Sequence, residues 1–204
     1  MAFTFFFRDI TVLDLIAAHV IPDLSGFRKI RIWDGGCAMG PEPYSLAIII
    51  AESMGSFAFR NVHIDATDID EQDTFGKIIE EGTYPAEQVK RIPPDIFSKY
   101  FVPAAQEGCH RVIDTIRQCI HFQRHDLRSL KPIGVGYHLI VCKNVLLHFQ
   151  PHERTDVIRM FHSALAPGGY FATEQTQKIP EELERLFSQV SPEGQLYKKL
   201  EARA

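Results

Sequence analysis

The 204 residues are 45% hydrophobic and 24% charged, an ordinary globular balance, and suffice for one domain with a sizeable core. A formal charge of −4, with Lys and Arg scattered and densest only as RKIR at 28–31, excludes the basic footprint of a nucleic-acid binder. Cys37, Cys109, Cys119 and Cys142 form no C-x-x-C pair, so neither a zinc site nor a redox dithiol is indicated and no metal is expected.

The opening MAFTFFFRDITVLDLIAAHVIP is apolar, but it lacks a basic start and is interrupted by Arg8, Asp9 and Asp14, unlike a signal peptide. No run approaches the ~20 apolar residues of a membrane span. A cytoplasmic protein without membrane insertion is expected, with Cys37 and Cys142 as small buried residues at strand ends. LDLIAAHVIPDL has helical spacing and is expected to end near Pro22. KIRIWD (29–34) reads as a buried strand, and Pro41 through Met54 as a helix with proline in its first turn. NVHIDATD (61–68) is a second strand, followed by a helix through about Glu81. YHLIVCKN (137–144) is another strand. Residues 151–166 put Val157, Phe161, Ala164 and Leu165 on one helical face, PGG (167–169) closes that helix, and YFATEQ is a further strand. Strands alternating with helices predict an α/β fold with a doubly wound, mainly parallel sheet. Residues 83–124 break the rhythm: IPPDIFSKYF is a short helix at best, and HRVIDTIRQCIHF reads as two short strands around a turn. A small antiparallel β insertion within a single domain, 1–204, accounts for them.

In such folds a ligand lies beyond the carboxyl ends of the strands. Asp34 to Gly40, Asp68, Asp126-Leu127 and Lys143-Asn144 all follow expected strands. The turn after the first strand carries Gly35, Gly36 and Gly40, and glycines there let backbone approach a ligand closely. A dinucleotide fingerprint needs G-x-G-x-x-G; Gly35 and Gly40 fit its outer glycines, but Cys37 takes the middle one, and no G-K-[ST] follows. That disfavours a pyrophosphate, and with it a nicotinamide-dependent oxidoreductase, and favours an uncharged adenosine moiety. Asp68, 28 residues after Gly40, could accept both hydroxyls of a ribose, or could cap the helix after TDIDEQD, a duty Asp70 could serve equally. Glu42 lies in a helical first turn, where the dipole stabilises a carboxylate without any ligand. The same position could accept a hydrogen bond from an amino group carried by the ligand.

IRIWDGGCAMGPEPYSLAI, IDATDID, GTYP, KYF, VCKNVLLHF and LAPGGYF occur in this order. Together they resemble the chemotaxis receptor methyltransferases of the CheR type, which methylate glutamate side chains with S-adenosylmethionine. FTFFFRD at 3–9 resembles the stretch before that family's catalytic domain and QLYKK its closing strand, so the likeness spans roughly residues 3–199. It implies a Rossmann-like methyltransferase fold, S-adenosylmethionine as cofactor with S-adenosylhomocysteine as product, and the cytoplasmic domain of a chemoreceptor as acceptor. By resemblance, Thr4 and Arg8 contact the cofactor. Arg8 pairs with its methionyl carboxylate or lies close to the transferring methyl. Gly36 belongs to the cofactor loop, Glu42 holds the amino group, and Asp68 the ribose. Asp126, where the family usually has Asn, sits with Leu127 beside the adenine; Lys143-Asn144 replaces the usual Arg-Asn pair near the sulfonium. A glutamate acceptor is already ionised at neutral pH, so no general base is required.

His148 stands where family members commonly have a tyrosine bordering the methyl-transfer site, and can donate a hydrogen bond in its place. EQTQ (174–177) replaces the family's GHSE, Ala2 a frequent Asn, and His138 a usual Asp, which marks a divergent member. The family usually carries an N-terminal helical domain, whereas this chain begins at the linker, as a fragment or as a stand-alone catalytic module. Residues 83–124 correspond to the family's β-subdomain, in which the loop VPAAQEGCH is short for gripping a receptor tail. One compact domain makes a monomer the default. The alternative function is a non-catalytic module that binds the cofactor or its product and regulates a partner.

Overall fold

A computed structural model describes residues 4–201; Ala2 and Phe3, part of the resemblance above, lie outside them. The strands are β1 (Ile30–Gly35), β2 (Val62–Asp68), β3 (Thr83–Pro85), β4 (Phe101–Pro103), β5 (Cys109–Val112), β6 (Ile120–Arg124), β7 (Tyr137–Val141), β8 (Leu165–Ala172), β9 (Phe187–Gln189) and β10 (Leu196–Lys199). Seven form one sheet in the order β6-β2-β1-β7-β8-β10-β9, and β3-β5-β4 form a second, antiparallel sheet. In the main sheet β6, β2, β1, β7 and β8 pair in parallel, while β10 runs antiparallel to both β8 and β9. The fold is α/β with a mainly parallel, doubly wound sheet, in which β10 is slipped antiparallel between β8 and β9.

Alternate side chains of the buried strands serve the two faces of the sheet. Ile32, Ile64 and Val141 join one apolar cluster with Leu46 of the Pro41–Phe59 helix. Trp33, Ile140 and Phe171 join another with Phe161 of the Pro151–Ala164 helix. The register aligns Gly35 with Thr67, Asp34 with Val141, and Asp68 with Arg124. The carboxyl ends of β1, β2, β6 and β7 therefore come level at one edge of the molecule, and the order reverses between β1 and β7 at that edge.

Several local expectations shift. The first helical stretch runs past Pro22 to Leu24, with a π turn over Ile16–Val20 ahead of the proline. That wider turn lets the chain pass a residue that cannot donate a backbone hydrogen bond. Pro41–Phe59 is regular only to Met54, because Gly55 adopts φ 77°, ψ 161°. PGG does not close the Pro151–Ala164 helix: Leu165 is already extended, and Pro167, Gly168 and Gly169 lie within β8. A Cβ on Gly169 would stand 2.9 Å from the Tyr137 carbonyl oxygen, so glycine permits the irregular pairing of β8 with β7. Of the stretch 83–124, β3, β4 and β5 make the small sheet, but β6 pairs with β2 at the edge of the main sheet. Phe6 packs edge-on against Tyr84 and Phe101, joining the N-terminal segment to the small sheet. Among the described residues, no helix is long and apolar enough to cross a membrane.

Candidate nucleoside-binding cleft

Two adjoining hollows open where the parallel strands end. One, of about 480 Å³, is walled by Thr4, Arg8, Glu42, Lys143 and Asn144; the other, of about 240 Å³, by His125, Asp126, Leu127 and Phe149. Gly36, Asp68, Val145 and His148 border both, so the two are halves of a single cleft. Every site residue expected from the sequence lies along it.

Asp70 decides what Asp68 is free to do. Its buried carboxylate folds back to accept the Thr74 and Phe75 amides at 3.0 Å, capping the Phe75–Glu81 helix. Asp68 is thereby released from capping and stays at the cleft. Its Oδ2 accepts the Ala38 amide at 2.9 Å, which pins the glycine turn to the end of β2. That turn also hangs on β2 through the Gly36 and Cys37 amides, both donating to the Thr67 carbonyl at 2.7 and 3.0 Å. Gly36 has φ 95°, and a Cβ there would stand 2.1 Å from Val145 Cγ2, so only glycine lets the turn lie against the residue after Asn144. Cys37 and Cys142 are fully buried thiols whose pKa values burial pushes well up, as small packing residues should be.

At the deeper end, Lys143 Nζ lies 3.2 Å from Glu42 Oε2, with the two side chains 1% and 8% exposed. The same ammonium donates to the Arg8 carbonyl at 2.8 Å, tying the N-terminal segment to the end of β7. Burial raises the pKa of Glu42 even though Lys143 opposes it. Asn144 has φ 59°, and its amide donates at 2.9 Å to Glu174 Oε2, which also accepts the Thr173 hydroxyl. At the other end Asp126 Oδ1 accepts the Arg128 amide at 2.9 Å and caps the short turn holding Leu127. His148 ends a one-turn helix, Leu146–His148, and is exposed at the mouth.

Glu174 and His125 were missed in sequence, and Asp34, though placed at the start of the first strand-end loop, was given no role there. Asp34 and Glu174 are buried acids at the ends of β1 and β8, and His125 stacks edge-on to Trp33 beside the smaller hollow. Glu174 was visible only as part of EQTQ, while an acid closing the apolar run of β1 was the one local signal for Asp34.

The donor set fits S-adenosylmethionine. Glu42 Oε1 and Asn144 Oδ1 are buried acceptors without a hydrogen-bond partner, both on residues lining the larger hollow. They suit an amino group, as Asp68 suits a ribose. Fold and cleft together define an S-adenosylmethionine-binding domain of the methyltransferase class. The pattern described as "CheR methyltransferase, SAM binding domain" matches residues 2–195, and the chain belongs to that family. It is 31% identical over 172 residues to Chemotaxis protein methyltransferase 2 of Vibrio cholerae, covering 81% of this chain and 58% of that one. It is 29% identical to Chemotaxis protein methyltransferase 1 of Pseudomonas aeruginosa, covering 96% and 73%. The chain thus spans less than two thirds of the Vibrio relative's length. Among solved structures, magnesium protoporphyrin IX methyltransferase from Synechocystis with bound SAM is similar at TM-score 0.47 and 17% identity, covering 92% of this chain and 76% of that one.

Proposed function

We propose that this domain methylates glutamate carboxylates of a chemoreceptor-like protein, using S-adenosylmethionine and acting as a monomer in the cytoplasm. The observation that carries the reading is one continuous cleft in a domain of this family. Asp126 lies in its smaller half, Glu42 in its larger half and Asp68 between them, where adenine, amino acid and ribose would lie, and it opens at His148. When bound, the cofactor supplies a methyl group on positively charged sulfur. The chain's own part is alignment. Asp126 and Leu127 take the adenine, Asp68 the ribose hydroxyls, and Glu42 with Asn144 the amino group. Arg8 pairs with the methionyl carboxylate or lies close to the transferring methyl, and His148 donates to the incoming acceptor carboxylate. No proton has to leave the acceptor, so positioning is the main contribution, worth up to ~7–11 kcal/mol in ideal cases.

Calorimetry of S-adenosylmethionine and S-adenosylhomocysteine on the wild type and Asp68→Ala tests the pocket. Losing two charge-assisted hydrogen bonds of ~1.5–3 kcal/mol each should weaken binding by ~10²-fold or more. A tritiated-methyl assay on receptor fragments then tests the acceptor. Tight binding with no transfer to any fragment would instead support the regulatory module, and no binding by the folded wild type would refute the cofactor assignments.

A further inference from the structure

Asp34 closes β1 with no exposed surface, and neither of its carboxyl oxygens receives a hydrogen bond. Glu42, in the first turn of the next helix, is likewise unpartnered at Oε1 while its Oε2 pairs with Lys143. The two carboxyl groups lie within side-chain hydrogen-bonding reach of each other. Two ionised carboxylates offer each other only acceptors, so they can bond only through a proton held between them. One shared proton satisfies an oxygen on each.

The surroundings favour it. Asp68 from β2, and Asp9 from the N-terminal segment facing Glu42, add negative charge. The buried Cys37 and Cys142 thiols are neutral neighbours. Glu174 lies further along, beyond Cys142. Lys143 is the cation in contact, its remaining bond going to the Arg8 carbonyl, and Arg8 itself lines the hollow. Burial, and then the charge of Glu42, push the Asp34 pKa well up, and burial pushes that of Glu42 up as well.

We propose that Asp34 belongs to the cofactor pocket: it shares one proton with Glu42 in the free protein, and an incoming α-ammonium group takes that proton's place. With the proton shared, Asp34 and Glu42 together carry one negative charge, which Lys143 balances. An ammonium ion brings a further positive charge to carboxyl groups that are almost wholly shielded from water. Releasing the bridging proton to solvent restores the balance and frees two acceptors for the ligand's N–H groups. The inference rests on the S-adenosylmethionine pocket described above and adds a proton to its binding equilibrium.

The test is calorimetric titration of the wild type at pH 7 in buffers of different ionisation enthalpy, which counts protons released per ligand bound. S-adenosylmethionine and S-adenosylhomocysteine should each release close to one proton, with affinity rising as pH rises through the pair's titration. Methylthioadenosine, which lacks the ammonium group, should release none. Asp34→Asn, checked for native circular dichroism, should bind both amino-acid ligands without release. S-adenosylmethionine binding to the wild type with no proton released, or equal release with methylthioadenosine, overturns the proposal while leaving the pocket intact. Absence of binding by all three ligands overturns the proposal together with the pocket assignment on which it rests.

Discussion

Replacing Lys143 by methionine tests the electrostatics of the cleft at its most buried point. The substitution keeps an unbranched side chain of similar length but removes the ammonium 3.2 Å from Glu42 and the bond to the Arg8 carbonyl. Glu42 is 8% exposed with Lys143 as its ion-pair partner, and Asp34 beside it is fully buried. Breaking a buried pair by removing one partner costs ~3–5 kcal/mol, because the other charge stays behind in a medium that cannot solvate it. Glu42 escapes part of this by taking up a proton, so the lower figure of ~3 kcal/mol is expected at pH 7. At ~2–4 °C per kcal/mol for a chain of this length, Tm should fall by ~6–12 °C. The sign with pH follows. Without Lys143 the folded pKa of Glu42 rises further above its unfolded value. The stability carried by the protonated form is then complete below the ordinary carboxyl range and lost as pH rises through the folded value. The deficit should therefore be small near pH 5 and grow towards pH 8. Urea unfolding at both pH values, with Glu42→Gln and the double variant completing a cycle, measures it. The double variant should recover most of the loss, since no buried charge is left unpaired. A deficit below ~1 kcal/mol, or one equal at both pH values, would refute the assignment of a buried ion pair.

Asp70→Ala should cost ~1–2 kcal/mol in urea unfolding, the loss of a helix cap, and Asp70→Asn less, because asparagine tolerates the positive φ of 39° there. His148→Phe should lower the methyl-transfer rate on receptor fragments while leaving calorimetric cofactor affinity within about twofold, since removing a group that acts only in the transition state leaves ground-state binding intact; a parallel loss of affinity would place His148 on the cofactor instead. Asp34→Asn should gain stability relative to the wild type as pH rises from about 4 to about 8. Asp34 has a raised folded pKa, so its contribution is present at low pH and lost on the way up, whereas asparagine has no such loss. A Tm difference that stays constant across that range would contradict a protonated Asp34.

What the sequence determined by itself is local. A β-rich apolar run ending in Asp34, a glycine turn and a proline-started helix are short-range patterns, and so is the order of motifs that marks the family. They located the strand ends, and with them Gly36, Asp68, Asp126, Leu127, Lys143 and Asn144, because in a parallel α/β sheet a ligand lies at the ends of the strands, whereas Thr4, Arg8 and His148 came only from the family resemblance. What no local pattern could decide was pairing and burial. Whether β6 belonged to the insertion or to the main sheet depended on Ile64 finding Ile120, far away in sequence. PGG reads as a helix stop, but the close approach of Tyr137 makes it an irregularity within a strand. Asp68 and Asp70 are the same residue type two positions apart, and either could have been the cap. The backbone turn at Asp70 sent one carboxylate to the helix and left the other in the cleft. Asp34 and Glu42 are unremarkable acids until folding closes water off from both and sets them beside a single lysine. Charge and hydrogen-bonding capacity are written in the residue types, but the cost of leaving them unpaired arises only when tertiary packing removes the solvent.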